Sequence, residues 1–340
     1  MAQQKIFGYA NRISVRPGED ISFHVNCDGA GEAEAQLVRL IHGDTDPAGP
    51  GHVEVEVDSS VNGRWAVKKQ FTQLGSFLKV ADPEGQLAVS GNFSLMAFIW
   101  PTMPHRGSRQ TILGRWDTLR NKGYALGINP AGHLEFWVGD GTEVDYVTAE
   151  LPLVPKVWYL VGVSYDRETG RAKLYQEGVL NRYNSLVGKV VPHEFASHVV
   201  QKFRFKPDNK TDLPFIIAGA LDEHALRGPF VNDLYAGKID RPAICSFALS
   251  RAEFDTCRQG GLPPTESVLA YWDTSRDYTA NGIGHEVTDT GPHRLNARGF
   301  NHPVRAMTGW KRSPGTSYGI SSVVVSLARQ WWFLLTRPPL

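Results

Sequence analysis

Three carboxylates at alternate positions are the first feature that could do chemistry. Glu54, Glu56 and Asp58 stand in the run Val53-Glu54-Val55-Glu56-Val57-Asp58. On a strand, residues so spaced project from one face. A glycoside hydrolase needs such a pair across a sugar cleft, one acid to protonate the leaving oxygen and one to attack. The same run is also the pattern of a half-buried antiparallel strand, with Val53, Val55 and Val57 turned to a core and the acids to water. That simpler reading is preferred. Hard oxygens suited to calcium occur as Asp208, Asn209 and Asp212, and as Asp273, Asp277 and Asn281. Neither set has the spacing of an EF-hand, and Asp and Asn are ordinary turn residues. His193 with His198, and His42 with Asp44 and Asp46, are incomplete ligand sets. No GxSxG, GxGxxG, P-loop or HExxH pattern is present. The sequence therefore assigns no catalytic, cofactor-binding or metal-ligating residue.

The elements that would position such groups are strands. Ile13 and Val15, then Ile21, Phe23 and Val25, alternate with polar residues around the turn Arg16-Pro17-Gly18-Glu19. Ala35–Ile41 and Val53–Asp58 follow, and residues 1–80 are read as a small immunoglobulin-like β-sandwich. From Asn92 to Pro101 the chain is apolar enough for a strand covered on both faces. Gly123–Ile128 and His133–Val138 are joined by Asn129-Pro130-Ala131-Gly132, a hairpin signal because Pro fixes φ and Gly supplies positive φ. Trp158–Asp166 and Arg171–Gln176 form another hairpin around Arg167-Glu168-Thr169-Gly170. The one clear helical signal is Ser250-Arg251-Ala252-Glu253-Phe254, where Ser250 and Glu253 have the spacing of a capping box. Trp100, Trp116, Trp137 and Trp158 fall in apolar alternations, which places them in a core. Many short strands between Gly and Pro turns define an all-β fold.

Composition narrows the partners. The 340 residues carry a formal net charge of +1, so no general field draws nucleic acid or anionic lipid. Cys27, Cys245 and Cys257 are too few for a disulfide framework and read as buried thiols. The N-terminus lacks a secretory pattern, and Gly319–Thr336 is short and broken by Arg329-Gln330, so a cytoplasmic protein without a membrane span is expected.

The order of the pieces resembles a laminin-G/concanavalin A-like domain. It is carried by "FSLMAFIWP" at 93–101, "TILGRWD" at 111–117, "GYALGINPAGHLEFWVGDG" at 123–141, "VWYLVGVSYDRETGRAKLYQEGVL" at 157–180 and "AGKIDRPAICSFALSRAEF" at 236–254. The resemblance implies a jelly-roll sandwich over residues 81–275. A second resemblance covers more of the chain. Gly8-Tyr9-Ala10, Arg16-Pro17-Gly18-Glu19, Val38–Asp44, Asp289-Thr290-Gly291-Pro292 and Asn301–Trp310 are similar to the large subunit of bacterial N,N-dimethylformamidase. That family hydrolyses an amide bond at an iron held by tyrosines and a glutamate of a later domain, and no position here matches that motif. The resemblance thus implies no cofactor in this chain, and as partners the family's small subunit and other large subunits.

Residues 276–310 read as a connection towards a catalytic domain. After Trp310 the composition changes: residues 311–340 contain no Asp or Glu and end in Trp331-Trp332-Phe333-Leu334-Leu335. This tail is expected to be foreign to the family, the product of a frameshift or truncation. The expected role is non-catalytic, in assembly or substrate access of an amide hydrolase. The alternatives are a carbohydrate-binding lectin-like module and, third, a glycoside hydrolase using Glu54 and Glu56.

Overall fold

Alternating apolar residues pull short strands into pairs along most of the chain. The computed structural model describes residues 5–28, 31–69, 75–88, 91–179, 196–204, 206–207, 213–224, 228–274, 286–301, 303–305 and 323–325. Two units separate between Thr72 and Gln73.

In the first unit, β1 (Lys5–Ala10) pairs antiparallel with β2 (Phe23–Asp28). β3 (Glu32–Ala35), β4 (Val38–Gly43), β5 (His52–Glu56) and β6 (Gly63–Ala66) form two further pairs, β3 with β6 and β4 with β5. Two expectations are corrected here. Ile13 and Val15 lie outside any strand, because the chain between β1 and β2 is organised by local hydrogen bonds instead. The Glu19 amide donates to the Arg16 carbonyl, and the Ser22 amide donates to Oδ1 of Asn11. Nor do the valines of β5 face a core: Val53 and Val55 are exposed, while Glu54 is half-buried. β5 ends at Glu56, so Asp58 is not on the strand.

The second unit contains β7 (Phe77–Val80), β8 (Phe93–Pro101), β9 (Gln110–Asp117), β10 (Lys122–Ile128), β11 (His133–Asp140), β12 (Val144–Pro152), β13 (Tyr159–Asp166), β14 (Arg171–Gly178) and β15 (Ser197–Lys202). It continues with β16 (Phe215–Ile217), β17 (Ala220–His224), β18 (Gly228–Asn232), β19 (Gly237–Cys245), helix α1 (Arg251–Arg258), β20 (Val268–Tyr271), β21 (Glu286–Val287), β22 (Ala297–Phe300), β23 (Val304–Arg305) and β24 (Val323–Val325). One sheet runs β12-β11-β10-β9-β16-β7-β22-β21, with the β17–β18 hairpin joined to β9. The other runs β15-β14-β13-β8-β19-β24-β23, with β20 also on β19. The all-β expectation holds, and so do both hairpins, 129–132 between β10 and β11 and 167–170 between β13 and β14.

Between the sheets, Leu95, Ala97, Ile99, Leu126, Phe136, Tyr159 and Val163 belong to one buried cluster. On the far side of β8, Met96 and Phe98 join Leu160, Tyr175, Phe254 and Cys257 in a second. β8 is therefore apolar at almost every position because both of its faces are covered. Helix α1 supplies that outer cover. Ser250 caps it, with the reciprocal Glu253 contact of a capping box. Phe254 lies directly over Gly162 on β13, where any side chain would collide with its ring. All three cysteines are free and buried. Burial pushes the Cys245 thiol up to about 12 and that of Cys257 to about 11, so neither is a ready nucleophile.

A candidate functional site on the outer sheet face

Strands β9, β10 and β11 have two unlike faces. Leu113, Tyr124, Leu126, Phe136 and Val138 point towards the other sheet. The opposite face carries Thr111, Trp116, Ala125, Glu135 and Trp137, with Gly123, Gly127 and Gly139 among them, as the registers Gly127↔Thr111, Gly127↔Glu135, Ala125↔Trp137 and Gly123↔Trp116 require. A bulge between Leu126 and Gly127 lets the consecutive Ile112 and Leu113 both enter the core and re-aims Thr111 outward.

The glycines make room for indoles lying along the sheet. A Cβ at Gly127 would sit 2.5 Å from Cη2 of Trp137, and one at Gly139 would sit 2.7 Å from Cη2 of Trp116. The two rings meet edge to face at 6.1 Å. The guanidinium of Arg109 covers Trp137 at 4.5 Å from the ring centroid. Its Nη2 donates to Oε1 of Glu135 at 3.1 Å. The other Glu135 oxygen accepts from Thr148 Oγ1 at 2.9 Å and Asn129 Nδ2 at 3.3 Å, so this buried carboxylate is fully engaged. Beside it, burial raises the Asp233 carboxyl above its ordinary range against the pull of Arg109 and Arg106. Burial likewise lowers Arg106, opposed by Asp233. Three buried atoms on this face have no hydrogen-bond partner: Nε of Arg109, Oγ1 of Thr111 and Nε1 of Trp137. Trp137 and Thr111 are both fully buried.

The residues singled out in the sequence fall elsewhere. Glu54 contacts His52 at 3.2 Å, and Glu56 accepts from Asn62 Nδ2 at 3.1 Å, both in the first unit. Asp208, Asn209, Asp212, Asp277, Asn281 and His193 lie outside the described residues. His42, Asp44 and Asp46 lie at the end of β4 and in the loop after it, where Asp44 and Asp46 accept backbone amides two residues on. His198 pairs with Glu177 at 2.8 Å, and Arg251 reaches the same carboxylate at 3.5 Å, tying α1 to the edge of its sheet. Asp273 neighbours the buried Asp240, which accepts from Thr274 Oγ1 at 2.8 Å. Among the described residues, no group of three or more His, Cys, Asp or Glu is placed to hold a metal ion, so none is assigned to the iron implied by resemblance. No helix among them is long and apolar enough to cross a membrane. Trp116, Trp137 and Trp158 are buried as expected, and Trp100 is half-buried beneath Lys238. Sequence reasoning missed Arg109, Thr111 and Glu135 as members of one face. The alternation Leu134-Glu135-Phe136-Trp137-Val138 placed Glu135 and Trp137 on a common side, but nothing local brings Arg109 over them.

This two-sheet sandwich is that of a recognised class. The chain belongs to the concanavalin A-like lectin/glucanases superfamily, whose profile matches residues 74–254. It is 40% identical over 316 residues to the N,N-dimethylformamidase beta subunit of Paracoccus aminophilus, covering 91% of this chain and 41% of that protein. It is 38% identical over 310 residues to the protein of the same name from an Alcaligenes species, covering 90% of this chain and 40% of the relative. The chain thus spans less than half the length of these relatives. A solved structure of a putative carbohydrate binding protein from Bacteroides ovatus superposes with a TM-score of 0.45 at 17% identity, covering 73% of this chain and 64% of that one.

Proposed function

We propose that this chain is a non-catalytic β-sandwich region of a dimethylformamidase-type large subunit, serving assembly or substrate access in an amide hydrolase. The observation that carries this reading is the 40% identity to a dimethylformamidase beta subunit across 91% of the chain. The relatives are named as subunits, which supports other subunits as partners. The catalytic iron of that family, supplied by a domain with tyrosine and glutamate ligands, would perform the hydrolysis. The residues of this chain would hold the sandwich and its outer face in place. The experiment is an amide-hydrolysis assay on the purified chain with iron supplied. No turnover is expected, and turnover would overturn the proposal.

A second reading, a carbohydrate-binding module, is favoured by the superfamily match over residues 74–254. Trp116, Trp137 and Trp158 are buried and cannot form a sugar platform, which needs an exposed ring, whereas Tyr146 and Phe247 are exposed. A glycan that raises the melting temperature of the chain would support it, since a ligand of the native state must stabilise that state.

A further inference from the structure

The sheet that contains β8, β13, β14 and β15 carries cations that the fold leaves unanswered. Ala172 and Leu174 of β14 enter the core between the sheets. Arg171, Lys173, Tyr175 and Glu177 therefore stand on the opposite face, where Tyr175 stacks on Phe254 of α1 at 4.8 Å. The register Arg171↔Lys202, Lys173↔Val200 and Tyr175↔His198 adds three residues of β15 to that face. Arg171, Lys173 and Lys202 are exposed, and Val200 among them is 54% exposed. Arg171 and Lys202 stand directly opposite each other, a placing of like charges that destabilises a sheet.

The acids nearby are committed elsewhere. Glu177 is buried, with His198 at 2.8 Å and Arg251 at 3.5 Å. Asp255 accepts from the Tyr175 hydroxyl at 2.7 Å and pairs with Arg258 at 3.5 Å. Asp166, opposite Arg171 on β13, accepts the amides of Glu168 at 2.9 Å and Thr169 at 3.2 Å. The turn after it adds one charge of each sign, Arg167 and Glu168. Among the described residues, no ion pair reaches Arg171, Lys173 or Lys202. A lysine on an edge strand guards against unwanted pairing, which accounts for Lys202 alone. Arg171 and Lys173 lie on β14, which is paired on both sides.

We infer that this face docks the acidic surface of another protein subunit, with carboxylates on Arg171, Lys173 and Lys202 and an apolar side chain against Val200. The inference rests on the assembly reading above and gives that role a place and a partner chemistry. An exposed valine rimmed by charge has the anatomy of a protein contact, apolar at the centre and polar at the edge. The net charge of +1 supplies no general field for a polyanion, so the attraction is confined to the patch. Carboxylates arriving there also relieve the repulsion between Arg171 and Lys202.

The test uses the 340-residue chain and a fluorescein-labelled glutamate decamer, read by anisotropy at about 50 mM NaCl. Saturable binding with a Kd on the order of 100 μM is expected, weakening about tenfold at about 300 mM NaCl. Lys173→Glu and Lys202→Glu each weaken it about tenfold. Lys156→Glu, exposed in the loop before β13 and at the far end of that strand from Asp166, leaves it unchanged. Lys202→Glu also sets opposite charges across from Arg171, so at low salt it raises the melting temperature by about 1–4 °C. Binding that never saturates, that survives both reversals, or that is tighter for a thymidylate decamer would overturn the inference. So would a Lys202→Glu chain that melts no higher than the parent. Co-sedimentation with the dimethylformamidase small subunit reports on the assembly reading itself. A complex that persists in both reversals overturns this face alone, and the absence of any complex overturns both.

Discussion

Gly127 and Trp137 occupy each other's space across two neighbouring strands: a methyl group on the glycine would sit 2.5 Å from Cη2 of the indole and would also collide with the Gln110 carbonyl. The absence of a side chain at 127 is what lets Trp137 lie flat with Arg109 above it. Gly127→Ala should therefore overpack the face and cost about 1–3 kcal/mol, read by urea unfolding. The near-ultraviolet circular dichroism of the coupled Trp116 and Trp137 rings should change in the same variant. An unchanged spectrum at unchanged stability would show that the face tolerates a rearranged indole.

The loop after β7 is held by a buried ion pair. Asp82 accepts the amides of Gln86 at 2.6 Å and Leu87 at 3.0 Å, and pairs with Arg115, whose side chain is 5% exposed. Next to it Tyr124 is pushed up to about 12, first by burial, with Arg115 opposing. Removing one partner strands the other charge, so Asp82→Ala should cost about 3–5 kcal/mol in chemical denaturation. Replacing Asp82 and Arg115 together with apolar residues should cost clearly less than the single change. Equal costs would mean that the turn amides, not the ion pair, dominate.

Asp240 gives the second unit a pH dependence. It is fully buried on β19, and burial raises its carboxyl to about 7, against the hydroxyl of Thr274 and the charge of Arg241, which pull it down. An acid whose pKa is higher folded than unfolded binds more protons in the folded state between about pH 4 and pH 7, so stability falls as pH rises through that window. Above pH 7 the loss is complete. Asp240→Asn, neutral at every pH, should then be more stable than the parent at pH 8, by up to the order of 4 kcal/mol. The two should converge near pH 4. A parallel pH profile for the two proteins would remove Asp240 as the cause.

Helix α1 depends on its first turn. Oγ of Ser250 accepts from the Glu253 amide at 3.3 Å, and the Glu253 carboxylate accepts from the Ser250 amide at 2.6 Å. Ser250→Ala should destabilise the unit by about 1 kcal/mol, measured by thermal or urea unfolding. A null result would place the helix's stability wholly in Phe254 and its seat over Gly162.

Much of the sandwich was legible because its signals are local. The capping box at Ser250, the hairpin at Asn129–Gly132 and the doubly apolar strand Phe93–Pro101 each declare themselves within ten residues. The first unit was harder. Ile13 and Val15 alternate as a strand would, yet Asn11 and Glu19 close that segment into a loop, and β1 finds its partner only at Phe23. The outer face was hidden for a different reason. Its members Arg109, Gly127, Glu135 and Thr148 meet only once four strands are in register, and no spacing along the chain encodes that meeting.

The most direct test of the account is the release of dimethylamine from N,N-dimethylformamide by the purified chain with iron supplied. The progress curve is expected to match the protein-free control at every chain concentration. A rate that rises in proportion to the chain would contradict it and place the chemistry within these residues.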